Sequence, residues 1–234
     1  MTLPVINTPT YELEVPSTKE KLVYRPFLVK EEKILLMAME EDNEKQLNRA
    51  LKQVVNNCTF QKVKVDKLAL FDLEYIFLRI RAKSVGEVAK LSLLCEDDGE
   101  TYVPVEIDLE SIEVEFKEDH DPKIQLTEEI GIMMGYPTFE HIDFDASESD
   151  VNKIFDMIGS SILQIFEGET VYERTDFNKK ELKTFLESLT SDQFKRVQSF
   201  FETMPRLRHT IELENPKTKV INTITLEGLN AFFA

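Results

Sequence analysis

Cys95 and Asp98 bracket the turn of LSLLCEDDGETYVPVEIDL in the x-x spacing at which a zinc-binding hairpin carries two thiols. A second strand-turn-strand pattern, TIELENPKTKVINTITL, turns at Asn215 and Thr218. Two such hairpins could present four ligands to one ion, but only Cys95 is a thiol. An amide and a hydroxyl are weak, neutral ligands for zinc, so these degenerate ribbon positions predict no bound metal, and no other cofactor is expected. Cys95 is also a poor nucleophile, because Glu96, Asp97 and Asp98 surround it with negative charge that raises a thiol pKa.

Other candidates for chemistry are weaker. His120 lies between Asp119 and Asp121 in a polar break ending at Pro122, with no second histidine at ligand spacing, and reads as a solvated loop. The acidic stretch from Glu140 to Glu148 invites a calcium reading. Counted as an EF-hand from Asp143, it puts Glu148 where glycine is needed and Ile154 where glutamate is needed, so that reading fails. His209 has no acid partner at local spacing. The seven glycines are scattered singly, without a phosphate-binding loop or nucleophile elbow. Among 44 acidic residues no general acid/base pair can be singled out, as a hydrolase of cell-wall polymer would require. The sequence predicts a protein that is not an enzyme.

Composition narrows the partners. A chain of 234 residues with 42% hydrophobic and 31% charged residues can bury a core of its own. Its formal net charge of -16, without a cluster of Lys and Arg, argues against nucleic acid. No apolar run approaches the roughly 20 residues of a membrane span, and two cysteines make no disulfide framework. The expected setting is cytosolic and the expected partners are proteins, with an oligomer of this chain as one option.

The elements follow from periodicity. Residues 1–25, with Pro4, Pro9 and Pro16, read as an extended N-terminal strand arm in which Tyr11, Leu13 and Val15 alternate with acids. Helical spacing then appears in Ile34, Leu35 and Ala38, after Glu31 and Glu32, and again over about Asn43 to Asn57. LALFDLEYIFLRIRAKSVG predicts a helix contacted on more than one side, with Asp72 as N-cap and Gly86 as stop. In the second half, Leu126 to Met134 reads as a short helix and Glu148 to Glu167 as a long one. Two more helices open at the capping patterns Asn178-x-x-Glu181 and Thr190-x-x-Gln193. The expected fold is α+β: a mainly helical core, two distant β-hairpins (89–116 and 207–227) forming a small antiparallel, degenerate zinc-ribbon-like sheet, and the strand arm, in one domain over 1–234.

Two clusters suggest docking. Pro26 fixes a corner between the arm and the first helix, bracketed by Tyr24, Arg25 and Phe27. Arg25 either pairs with an acid there or, with its aromatic neighbours, contacts another subunit. Arg206 and Arg208, beside Phe200, Phe201, Met204 and Pro205, form a second basic and aromatic cluster, although the two phenylalanines continue a helical core stripe from Phe194 and Val197.

Long segments spread along nearly the whole chain carry a resemblance. LPVINTPTYELEVPSTKEKLVYRPFLVKEEKILLMAME, FDLEYIFLRIRAKSVGEV, IGIMMGYP, LTSDQFKRVQSFFETMPRLRH and TLEGLNAFF resemble the T4-type baseplate protein family of contractile-tailed phages. Many of that family carry Cys-x-x-Cys at both hairpins, and this chain departs from them at Asp98, Asn215 and Thr218. The resemblance implies a baseplate hub subunit, or a chaperone of hub assembly absent from the mature virion. Either would bind other baseplate or hub proteins, in the host cytoplasm during assembly or in the virion tail.

Overall fold

The computed structural model describes residues 6–41, 44–139, 150–228 and 231. In it the apolar segment after residue 69 is helix α3 (Leu70–Val85), buried on several sides through Phe71, Leu73, Ile76, Phe77, Leu78 and Ile80. Two of its buried residues are charged. Arg79 donates to the carbonyls of Leu109 (3.0 Å) and Ile112 (2.9 Å) and pairs with Glu113 (2.8 Å). Asp72, expected as the N-cap, sits inside the first turn and accepts from the Ser17 N–H (2.9 Å) and hydroxyl. Its carboxyl therefore ties α3 to the turn of the N-terminal hairpin, β1 (Tyr11–Glu14) and β2 (Lys21–Tyr24). Burial pushes the Asp72 pKa up, against the pull of those two bonds.

Chain contacts divide the protein into two compact units, Met1–Val65 with Phe71–Glu115 and Arg206–Ala234, and Asp66–Leu70 with Phe116–Pro205. The first unit holds α1 (Val29–Glu40), α2 (Glu44–Cys58) and most of α3. It also holds the hairpin β3 (Val88–Leu94) and β4 (Tyr102–Asp108), a two-stranded sheet by itself. Strands β10 (Arg206–Glu214) and β11 (Ile221–Glu227) pair with each other, and β10 pairs on its other edge with β5 (Val114–Glu115).

The second unit is built on an antiparallel sheet in the order β6 (Lys123–Gln125), β7 (Ile130–Met134), β8 (Ile162–Glu167), β9 (Thr170–Glu173). Helices α4 (Asp150–Ser160), α5 (Lys179–Glu187) and α6 (Ser191–Thr203) complete it. Ile132 and Ile162 from the sheet share a core with Ile158, Leu182, Val197 and Phe200 from the helices. The expected caps are present: Asn178 accepts from the N–H groups of Lys180 (2.9 Å) and Glu181 (3.1 Å), and Thr190 from that of Gln193 (3.3 Å).

The strands overturn the expected architecture. In place of a mainly helical core with one small sheet, the described residues form eleven strands in four sheets beside six helices. The two hairpins lie in different sheets, so the ribbon-like pairing is not formed. The second-half error has a physical source, since a short apolar run does not distinguish a buried strand from a helix. Ile130–Met134, read as helix, is a central strand. The segment read as one long helix ends at Ser160, where the Ser160 and Ser161 hydroxyls donate back to the Asp156 and Met157 carbonyls, and continues as β8. Gly135, just past β7, is a close approach: a Cβ there would lie 2.9 Å from a Leu163 methyl. The calcium reading over Glu140–Glu148 falls outside the described residues.

Phe200 is 2% exposed and its ring meets those of His120 (4.9 Å) and Phe201 (5.2 Å). Phe200→Ala is expected to cost about 3–5 kcal/mol in urea denaturation, and a loss below about 1 kcal/mol would contradict this placement of the ring.

Candidate functional site

The Pro26 corner is held by a buried ion pair. Glu31, in the first turn of α1, has no exposed surface, and its carboxylate meets the Arg25 guanidinium at 3.0 Å. It also accepts from the Leu28 N–H (2.9 Å) and, at longer range, from the Asn57 amide (3.4 Å) on α2. Arg25 further donates to the Pro26 carbonyl (2.9 Å), and its own N–H reaches the Cys58 carbonyl (3.0 Å). Burial alone would raise the Glu31 pKa, but the bonds from Arg25 and the Leu28 N–H, with the charge of Arg25, hold it below the ordinary value. Cys58, buried beside this pair, has its thiol pushed up by burial to about 11 and is no nucleophile. Tyr24 is 3% exposed with its ring 5.7 Å from that of Tyr11, whereas Phe27 is half-buried and its N–H is bound by the Ser84 hydroxyl (2.9 Å).

Arg206 and Arg208 stand on β10, away from the corner in sequence and in a different sheet from β2. Both pair with Glu227 across the β10–β11 ladder, Arg208 at 2.7 Å. His120 belongs to the second unit and is not simply a solvated loop residue. Its ring lies against Tyr136 (5.6 Å) and Phe200, with Nδ1 3.0 Å from the Thr203 hydroxyl, and burial lowers its pKa despite Asp119 and Asp121. His209 is a ladder residue of β10 opposite Leu226.

The two hairpin turns meet, through a residue outside the four ribbon positions. The Asp97 carboxylate accepts from the Asn215 amide (2.9 Å), the Asn222 amide (2.9 Å) and the Thr218 hydroxyl, while the Asp97 backbone N–H donates to the Asn222 side-chain oxygen Oδ1 (3.1 Å). Asp98 turns back on its own hairpin to accept from the N–H groups of Glu100 (3.1 Å) and Thr101 (3.0 Å) and from the Thr101 hydroxyl. Lys217 adds an ion pair to Glu100 (3.1 Å). Cys95 is fully buried, and burial together with Asp97 and Asp98 raises its thiol pKa. Asn215, Thr218 and Asp98 are thus committed to hydrogen bonds. Among the described residues no group of three or more His, Cys, Asp or Glu is placed to hold a metal ion.

Sequence reasoning missed Asp97, Asn222 and Glu31. Nothing in Cys-Glu-Asp-Asp marks which acid faces the other hairpin. The first-turn position of Glu31 signals a favourable helix start but not its burial. A signal that could have been used is the run ILLMAM in α1, which holds more apolar residues than one helix face can bury.

Glu31→Ala leaves Arg25 nearly buried without its counter-ion and is expected to cost about 3–5 kcal/mol in denaturant titrations. Hydrogen bonds from Asn215, Thr218 and Asn222 depress the Asp97 pKa, so its stabilisation is present above the ordinary aspartate value and lost as pH falls through the depressed one. Asp97→Ala should therefore melt below the parent at pH 7, with the gap narrowing at pH values below about 4. A gap independent of pH would show that the carboxylate charge is not what joins the turns.

The family described as T4 bacteriophage base plate protein matches residues 8–234 of the chain. Neither the curated proteins nor the solved structures gave a match. With the match running through both hairpins, the Pro26 corner and the second unit, the chain belongs to the T4 bacteriophage base plate protein family and is a component of the phage baseplate.

Proposed function

We propose that the protein is a non-catalytic component of baseplate hub assembly that works by binding other hub proteins. The observation that carries this reading is the outer face of α1. Val29 is 79% exposed, Leu36 55%, Met37 53% and Met39 60%, while Glu31 and Ala38 on the opposite side are buried. Contiguous exposed apolar side chains on a folded helix mark a surface that a partner covers, and methionines suit one that must adapt to it. The Pro26 corner fixes how the helix leaves the arm: Tyr24 and Arg25 hold it from within, and Phe27 borders the exposed Leu28 and Val29. Arg206 and Arg208 form a second, polar contact. The shifted carboxylates Glu31, Asp72 and Asp97 are each engaged in bonds that hold the fold, which supports a role without bond chemistry.

The alternative is a hub-assembly chaperone that is absent from the mature virion. A strongly acidic chain with an exposed, methionine-containing helix suits transient holding, since net charge keeps such a surface soluble. Quantitative mass spectrometry separates the two: a fixed ratio to the tail proteins in purified virions supports a hub subunit, and abundance in infected cells with absence from virions supports the chaperone. Leu36→Glu combined with Met39→Glu is expected to keep the parent melting temperature and to abolish co-purification with hub proteins. Undiminished co-purification would remove α1 as the docking face.

A further inference from the structure

We propose that the second unit carries a receptor pocket for a basic side chain, an arginine or lysine presented by a partner protein. An open groove of about 440 Å³ lies between the sheet and α5. Its walls are apolar, with Ile130 and Ile165 from the sheet and Phe177, Leu182 and Phe185 from α5 and the segment before it. Three carboxylates, Glu167, Asp176 and Glu181, come to the same cavity from β8, the segment before α5 and α5 itself, and Tyr172 joins them from β9.

The hydrogen bonding of these acids leaves them short of positive charge. Glu167 accepts from the Tyr172 hydroxyl (3.1 Å), Asp176 from the Glu173 N–H (2.8 Å) and Glu181 from the Asn178 N–H (2.8 Å). Each bond uses one carboxylate oxygen. Among the described residues no lysine or arginine pairs with any of the three. Arg174, nearby in sequence, is occupied with Phe177, donating to its carbonyl (3.1 Å) and lying 5.5 Å from its ring centre.

Apolar walls beneath an acidic mouth are complementary to a side chain with a hydrocarbon stem and a cationic head. The stem displaces water from Ile165, Leu182 and Phe185, and the head stays at the mouth among the carboxylates and the Tyr172 ring. A hydrated metal ion fits worse, because most of this cavity offers carbon where the ion needs oxygen. An apolar side chain would fill the walls and leave the carboxylates unanswered. Basic anchors seated in pockets are frequent hot spots between proteins.

The proposal rests on the reading that the chain acts by binding proteins, but its test is independent of the baseplate and of α1. The full chain is titrated with N-acetyl-arginine methylamide and followed by NMR, with N-acetyl-norleucine methylamide as the uncharged stem and magnesium as the bare cation. Saturable shifts centred on Phe177, Leu182 and Phe185 are expected for the arginine probe, with norleucine weaker by about five-fold or more. Glu167→Gln with Asp176→Asn keeps acceptors for Tyr172 and Glu173, should retain the parent melting temperature, and should weaken the arginine probe by a similar factor. Glu181 is left intact because it belongs to the α5 cap. Non-saturating shifts spread over the acidic surface, equal binding of norleucine, tighter binding of magnesium at the same resonances, or an unchanged response in the double variant would each overturn the proposal. Failure here would leave docking through α1 untouched, just as failure of the α1 variant would leave the pocket standing.

Discussion

Glu31 gives up all contact with water, and three elements of the first unit converge on its two oxygens. The strand-to-helix corner arrives through Arg25, α1 begins with the Leu28 N–H, and α2 contributes Asn57 from its last turn. A carboxylate taken out of water is stabilised only when its lone pairs are answered nearly completely, so displacing any one of these elements leaves a charge that the others cannot satisfy. The ion pair adds little to net stability when measured against an apolar replacement of the same shape. Its effect is on geometry: it fastens the corner at Pro26 to the first turn of α1 and to the last turn of α2.

The same relation between polar bonds and geometry recurs at the hairpin turns. Where a zinc ribbon would hold its two hairpins through Cys-x-x-Cys at each turn, this chain joins its turns with one carboxylate, two amides and a hydroxyl. Such a joint has no thiolate to oxidise and no ion to lose to a chelator. It also depends on Asp97 remaining ionised, which a metal cross-link would not.

Much of the first unit was legible in the sequence because its signals are long. The α3 stripe and the spacing in α2 extend over several turns, and the caps at Asn178 and Thr190 mark helix starts in the second unit as clearly. The sheet of the second unit was not legible, because β7 is five residues of unbroken hydrophobicity and β8 continues the helical spacing of α4 by coincidence. The candidate site was legible only in outline. Local pattern located both turns and the corner, but the partners of Asp97 lie more than a hundred positions away, a pairing that periodicity does not encode. The acids around the α5 cavity were hidden differently: in a chain of 44 acids, three more on separate elements carry no signature until the fold brings them to one opening.

The short strand β5 and the start of β10 have a meaning beyond their length. Val114 and Glu115 lie directly across from Leu207 and Arg206, so the chain leaves the first unit and re-enters it at neighbouring points of one ladder. All of Phe116–Pro205 is therefore an excursion whose two ends are already side by side, separated by little more than a strand spacing of about 5 Å. That is the geometry of an inserted cassette, open to being lengthened, exchanged or replaced by a tight turn with no change of register in the host ladder. One stitch complicates removal: at the start of α3, the Ala69 bridge to Thr138 and the Leu70 N–H bond to the Pro137 carbonyl (3.0 Å) belong to the cassette. Those few residues, more than the two strand ends, are what any replacement of the cassette would have to rebuild.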